Sequence, residues 1–224
     1  MTVGDGHLCS ILDDSSLKCW GDNTFGQLGD GTSIDRMLLT EVSLDSSRTA
    51  LSISSGKDHT CAILDNGELQ CWGRNNHGQL GDGTNTHSNV PVETGLSEFP
   101  VQLSSGDWHS CAILDDASLK CWGRNNHGQL GDGTNIDSSS PVSVDLPGEK
   151  FLAVSAGSDH TCAITKTWAL KCWGSNSNGQ LGVGSTVSSN SPSTVTVGGS
   201  AAAVSAGGSH TCVIMDGAVG SGGL

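Results

Sequence analysis

A segment of about fifty residues recurs along the chain, and this internal repeat constrains the fold more than any other feature. Each copy contains Gly-x-x-His-x-Cys, and the complete copies continue to Cys-Trp-Gly. The first cysteines of successive copies lie 52, 50, 51 and 50 residues apart. These cysteines are Cys9, Cys61, Cys111, Cys162 and Cys212. A period near fifty is typical of a four-stranded blade of a β-propeller.

The copy at residues 46–96 shows how one unit is built. Asp65-Asn66-Gly67 separates two apolar runs and is a strong hairpin signal. Pro91 lies in the last apolar run, which suits an outer edge strand because proline cannot donate a backbone hydrogen bond. The predicted strands are residues 50–54, 59–64, 68–72 and 90–93.

Both faces of the predicted hairpin are largely apolar. One face carries Cys61, Ile63, Leu69 and Cys71, and the other carries Ala62, Leu64 and Trp72. A sheet with one wetted side would alternate more cleanly, so each blade is expected to pack between two neighbours. The sequence predicts an all-β propeller with an incomplete ring of four to five blades. The chain is interpreted as a single repeat array, 1–224, with units at about 1–45 (partial), 46–96, 97–147, 148–199 and 200–224 (truncated).

Two cysteines stand ten residues apart in every complete unit. A three-residue loop places Cys61 opposite Cys71 in a non-hydrogen-bonded pair, where side chains are close enough for a disulfide. The expected disulfides are Cys9–Cys19, Cys61–Cys71, Cys111–Cys121 and Cys162–Cys172, and the alternative is buried free thiols. Cys212 is expected to be unpaired. We expect the turn at residues 166–168 to differ from the others, because Trp168 would occupy its left-handed position.

Composition excludes several classes of function. The net charge of −13 would repel a phosphate backbone, so nucleic acid is not an expected partner. No apolar run approaches the roughly 20 residues that span a bilayer, so no membrane insertion is expected. Catalytic and metal-site motifs are absent, and we predict a protein without enzymatic activity, metal or cofactor. Paired cysteines favour an extracellular or cell-surface location, with the cytoplasm as the alternative.

A second motif follows each Cys-Trp-Gly. Gly-Gln-Leu-Gly-Asp-Gly-Thr occurs at 26–32, 78–84 and 128–134, and Gly-Gln-Leu-Gly-Val-Gly-Ser at 179–185. With Gly-x-x-His-Thr-Cys, these motifs resemble the repeats of the regulator of chromosome condensation family, of the alpha-tubulin-suppressor-like bacterial or protist type. The resemblance implies a ring of seven blades. This chain supplies four hairpins and the start of a fifth, which departs from its siblings at Asp216, so a truncated fragment is expected.

Histidine and tryptophan also recur once per unit. Each position is interpreted as structural: the histidines as part of each blade's own hydrogen bonding, the tryptophans as core between blades. The histidines are His7, His59, His109, His160 and His210, and the tryptophans are Trp20, Trp72, Trp122 and Trp173.

Departures from the repeat indicate where a binding surface lies. Trp108 precedes the repeat histidine where sibling units carry Lys57 and Asp159, and it is the best candidate for an exposed aromatic contact. The loop after Cys-Trp-Gly varies between units and carries the other candidate binding residues, which are Arg74, His77, Arg124 and His127.

These features favour a non-catalytic scaffold, secreted or surface-exposed, that recognises a protein or glycan through loops at one propeller face. The resemblance implies two alternatives: guanine-nucleotide exchange on a small GTPase, or a secreted enzyme-inhibitor propeller. Exchange would take place in a reducing compartment, which the paired cysteines argue against.

Overall fold

The computed structural model describes residues 1–45 and 47–216, and every regular element in these ranges is a β-strand. No helix in this part of the chain is long and apolar enough to cross a membrane. The strands are β1 (Thr2–Val3), β2 (His7–Ile11), β3 (Leu17–Gly21), β4 (Arg36–Glu41), β5 (Ala50–Ser55), β6 (His59–Leu64), β7 (Leu69–Gly73), β8 (Ser88–Glu93), β9 (Pro100–Ser105), β10 (His109–Leu114), β11 (Leu119–Gly123), β12 (Ser138–Ser143), β13 (Phe151–Ala156), β14 (His160–Thr165), β15 (Leu170–Gly174), β16 (Ser189–Val195), β17 (Ala201–Ala206) and β18 (Thr211–Met215).

Consecutive strands pair antiparallel into separate sheets, which are the blades of a propeller that is not closed into a ring. Blades 1 to 4 each have four strands in chain order: β1–β4, β5–β8, β9–β12 and β13–β16. Strands β17 and β18 form a two-stranded sheet, termed blade 5 here. The predicted all-β propeller is confirmed.

The hairpin between the second and third strands sets the register of each blade. Leu64 N–H donates to the Glu68 carbonyl and Gly67 N–H donates to the Leu64 carbonyl, both at 2.9 Å. This closure places Cys61 directly opposite Cys71. All four predicted disulfides are present, and all eight of their cysteines are buried. Cys212 is exposed and free of any disulfide to the described residues, as the sequence predicts.

The expectation that the turn at residues 166–168 differs is wrong. Trp168 has φ of 63°, beside 83° for Gly67 and 63° for Ala117. Its N–H donates to the Thr165 carbonyl at 2.8 Å, as in the sibling hairpins. The hairpin register therefore outweighs the left-handed strain of about 1–2 kcal/mol. The indole remains 49% exposed, so the turn does not have to bury it.

Neighbouring blades are joined by a tryptophan that packs on a glycine. The indole N–H of Trp122 donates to the Gln79 carbonyl of the preceding blade at 3.0 Å, and the side chain is fully buried. Gly81 lies beneath it: a Cβ at that position would be 2.8 Å from the indole nitrogen. The same contact joins blades 1 and 2, where Trp72 donates to the Gln27 carbonyl, and blades 3 and 4, where Trp173 donates to the Gln129 carbonyl. These three tryptophans lie in the core between blades, as the sequence indicates, whereas Trp20 of blade 1 is only half-buried.

Candidate functional site

One end of the propeller carries two sets of connections. The turns between first and second strands and the long loops between third and fourth strands meet there, because His59 pairs with Gly73 and Gly73 pairs with Ser88 at that end of blade 2. We call this end the loop face. It comprises turns 4–6, 56–58, 106–108, 157–159 and 207–209 and loops 22–35, 74–87, 124–137 and 175–188.

A buried asparagine holds each long loop in place. Asn75 is fully buried, and its amide donates to the Asp82 carboxylate at 3.2 Å and to the Thr84 and Thr86 carbonyls at 3.1 and 3.0 Å. Its side-chain oxygen accepts the Leu80 N–H at 2.9 Å. Because these bonds satisfy the amide, the loop is fixed before any partner binds.

The repeat histidines join neighbouring blades, which corrects the expectation that they serve their own blade. His109 Nε2 lies 2.8 Å from the Thr161 hydroxyl of blade 4, and His7 makes the same contact with Thr60. Burial lowers the pKa of His109 to about 3, so the ring is neutral in the folded protein. Among the described residues, no group of three or more His, Cys, Asp or Glu side chains could hold a metal ion.

Three of the predicted binding residues meet on the loop face. The Arg74 guanidinium lies 4.5 Å from the ring centroid of Phe25 in blade 1 and 4.5 Å from that of Trp108 in blade 3. Its Nη1 donates to the Asp58 carboxylate at 3.1 Å. The His77 ring stands edge-on to Trp108 with centroids 6.0 Å apart. Trp108, Arg74 and His77 therefore form one group across blades 2 and 3, which Phe25 extends to blade 1.

Further side chains extend this group in both directions. Lys57 Nζ lies 5.5 Å from the Trp108 centroid, and the His87 ring lies edge-on to Phe25 at 5.3 Å. We call Phe25, Lys57, Arg74, His77, His87 and Trp108 the aromatic–cation cluster. Sequence reasoning missed Phe25, Lys57 and His87 as members. The available signal was that Phe25 occupies the position of His77 in the first unit.

Arg124 and His127 have different surroundings. Arg124 Nη1 contacts the Asp159 carboxylate at 3.4 Å, and no described aromatic ring stacks on it. The backbone N–H of His127 donates to Gln129, and its side chain makes no described hydrogen bond. The difference arises at the residue before the repeat histidine, which is Trp108 in blade 3 but Asp159 in blade 4.

The structure also corrects the alignment of that position. Gly56 and Gly106 occupy the same place in their blades, so the counterpart of Trp108 is Asp58 and the counterpart of Lys57 is Asp107. Trp108 thus replaces a carboxylate. The guanidinium of Arg74 pairs with Asp58 of its own blade and stacks on Trp108 of the next.

Comparison with known families decides the family. The family model described as RCC1-like domain matches residues 1–213. The chain belongs to this family. The ultraviolet-B receptor UVR8 of Arabidopsis thaliana is 33% identical to this RCC1-like chain over 195 residues, which cover 86% of the chain and 44% of the receptor. The chain therefore spans less than half of that relative's length.

Solved structures agree with the RCC1-like fold. Human WBSCR16 superimposes with a TM-score of 0.87 at 24% identity, covering 96% of this chain and 57% of that one. Prp20p of Saccharomyces cerevisiae, which has been characterised for binding to Gsp1p and histones, superimposes with a TM-score of 0.82 at 20% identity. The match covers 94% of this chain and 54% of Prp20p.

Proposed function

We propose that this RCC1-like protein is a non-catalytic, extracellular binding module that recognises a protein partner through the aromatic–cation cluster of its loop face. The observation that carries the proposal is the stack of Arg74 between Phe25 and Trp108, with all three side chains partly exposed. Tryptophan and arginine are the residue types that dominate binding energy at protein interfaces.

The cluster is also preorganised. Arg74 is held by Asp58 at 3.1 Å, and its Nε donates to Asn76 at 3.0 Å, so its rotamer is fixed without a partner. His77 Nδ1 is held by the Asp137 carboxylate at 2.8 Å. Because these side chains are already ordered, a partner that packs on them pays little conformational entropy for ordering them. This supports a role in binding.

Four disulfides support the extracellular location. Each closes an eleven-residue hairpin in the core, and such bonds persist in oxidising compartments. Guanine-nucleotide exchange in the cytosol is the second candidate function. The fold that this chain shares with Prp20p favours exchange activity, whereas the four disulfides argue against a cytosolic location. A secreted enzyme inhibitor would be one form of the proposed binding module.

The test uses the intact protein immobilised on beads and the secreted and surface proteins of its native host. Bound proteins are quantified by mass spectrometry for the wild type, Trp108→Ala and Trp168→Ala. Trp168 is the matched control, because it is a partly exposed tryptophan of the hairpin turns at the opposite end of the blades. Loss of a central tryptophan costs about 2 kcal/mol or more, which corresponds to about thirtyfold weaker binding.

We expect the specific partner to be retained by Trp168→Ala and lost by Trp108→Ala. Equal retention by both variants would place the interface elsewhere and refute the proposal. Capture that disappears when the host proteins are enzymatically deglycosylated would identify a glycan as the ligand and would likewise overturn recognition of protein.

A further inference from the structure

A cleft of about 320 Å³ lies beside the aromatic–cation cluster, where the first-to-second strand turns of all five blades meet. Its lining repeats the same glycine from each blade: Gly4, Gly56, Gly106, Gly157 and Gly207. Asp5, Lys57 and Asp107 provide the charged side chains at its walls, and Ser55, Ser105 and Ser158 provide hydroxyls. Nothing in the proposed function assigns a ligand to this cleft.

The repeat histidines pack behind the glycine lining, and their hydrogen bonds fix their tautomers. Thr161 Oγ1 donates its proton to the Gln129 carbonyl at 2.9 Å, so it must accept from His109 Nε2–H. The same network fixes His7 and His160 as Nε2–H tautomers, through Thr60 and Thr211.

In each of these three rings, Nδ1 is therefore a bare lone pair. It is buried and has no hydrogen-bond partner among the described residues. The Cε1–Nδ1 edge of the ring packs against the cleft-lining glycine: a Cβ at Gly106 would lie 2.5 Å from Cε1 and 2.7 Å from Nδ1 of His109, and one at Gly157 would lie 2.4 Å and 2.6 Å from those atoms of His160.

Acidic groups dominate the charges around the cleft. Asp5 and Asp107 line it, and Lys57 is the one cation among the described lining residues, whereas Asp159, which lies close enough to act on Asp107, is itself paired with Arg124. Burial raises the pKa of the Asp107 carboxyl, against a hydrogen bond from Ser158 that lowers it. Lys57 Nζ lies 3.5 Å from the Asp5 carboxylate at the rim. Ser55 also lines the cleft, is nine-tenths buried, and has a hydroxyl without a partner in the described part of the chain.

From this geometry we infer that the cleft binds a primary ammonium group, held by the carboxylates of Asp5 and Asp107 above the glycine lining. A compact ion that only donates hydrogen bonds matches walls that carry two carboxylates and the unpaired Ser55 hydroxyl. Lys57 occupies the rim as an internal competitor for the same carboxylates. The site does not depend on the protein partner proposed above.

The test titrates the purified full chain with n-butylammonium chloride at constant ionic strength and follows backbone amide shifts of the cleft glycines by NMR. Tetramethylammonium chloride is the control probe, because it carries the charge but has no N–H donor. We expect saturable shifts with butylammonium and much weaker ones with tetramethylammonium. Absent saturation, or equal shifts with the two probes, would overturn the inference.

Charge-matched variants then separate a local site from the general negative charge. Asp107→Asn should weaken butylammonium binding about fivefold or more, whereas Asp14→Asn, in a hairpin at the opposite end, should leave it unchanged. Lys57→Gln should tighten binding, and Lys150→Gln, which makes the same charge change at the hairpin end, should not. Thermal unfolding of each variant verifies that it is folded. Equal effects of the near and distant substitutions would refute the site.

The source of the ammonium is resolved by two further probes. Spermidine represents a free polyamine, and Nα-acetyl-lysine methylamide represents a lysine side chain of a protein. Tighter binding of spermidine would identify the cleft as a polyamine site, and tighter binding of the lysine derivative would identify it as a pocket for a partner's lysine. Either result supports the inference, whereas failure of both probes contradicts it.

Discussion

Substitution of Gly81 by alanine should weaken the seam between blades 2 and 3. Gly81 has φ of +72°, and a Cβ there would lie 2.8 Å from the indole nitrogen of Trp122. The indole would have to move away from the Gln79 carbonyl, to which it now donates at 3.0 Å. Alanine at this position therefore adds two costs to the folded state: left-handed backbone strain of about 1–2 kcal/mol and overpacking against the indole of about 1–3 kcal/mol.

Gly83 is the matched control for this substitution. It has φ of +81°, but the nearest atom to its Cβ would be the Ser140 hydroxyl oxygen at 3.8 Å. Alanine at Gly83 therefore carries the backbone strain without the clash, and both substitutions restrict the unfolded chain equally. The difference between the two variants isolates the cost of crowding Trp122, about 1–3 kcal/mol.

Urea denaturation followed by circular dichroism measures that difference. With a slope of about 2 kcal/mol/M, Gly81→Ala should unfold at a urea concentration about 0.5–1.5 M below that of Gly83→Ala. The comparison requires equal slopes, because a change of slope in a repeat array signals loss of cooperativity. Coinciding midpoints would refute the argument that contact between Gly81 and Trp122 controls the seam.

Three further predictions follow from the same structure. The free energy of unfolding should fall as the pH drops from about 6.5 toward 3. Burial lowers the pKa of His59 to about 3, so over this range the unfolded chain binds a proton that the folded chain excludes. Urea midpoints at pH 7 and pH 4.5 measure this loss, and equal midpoints would contradict the prediction. Alkylation of the unreduced, denatured protein should label Cys212 alone, whereas nine labelled cysteines in mass spectra would eliminate the disulfides and the extracellular location. Arg74→Ala should weaken partner binding more than Arg124→Ala, as measured by the bead assay, and the reverse order would exclude the cluster as the interface.

The register of each blade could be predicted from sequence because it is a local property. Ten residues separate Cys61 from Cys71, and Asp65-Asn66-Gly67 at the centre leaves one antiparallel alignment that places them opposite each other. The same locality explains the error at Trp168. Intrinsic preference argued against a left-handed tryptophan, but the hydrogen bonds of the hairpin override that preference.

The aromatic–cation cluster could not be predicted in full, because its contacts join residues of different units. Phe25, Arg74 and Trp108 are separated by 49 and 34 residues, and nothing in the repeat period states which side chains of adjacent blades touch. Their meeting depends on the distance and rotation between blades. Variation from the repeat singled out Trp108, Arg74 and His77, but it gave equal weight to Arg124 and His127, which contact no aromatic ring in the described part of the chain.

The order of the blades therefore determines a binding surface that no single blade contains. The stack runs through three successive blades, because it takes Phe25 from blade 1, Arg74 from blade 2 and Trp108 from blade 3. Blades 2 and 3 carry the identical loop sequence Arg-Asn-Asn-His-Gly, yet only the first copy lies between two aromatic rings. The repeats supply a common backbone, and the loop face acquires its specific surface where three departures from the repeat become adjacent.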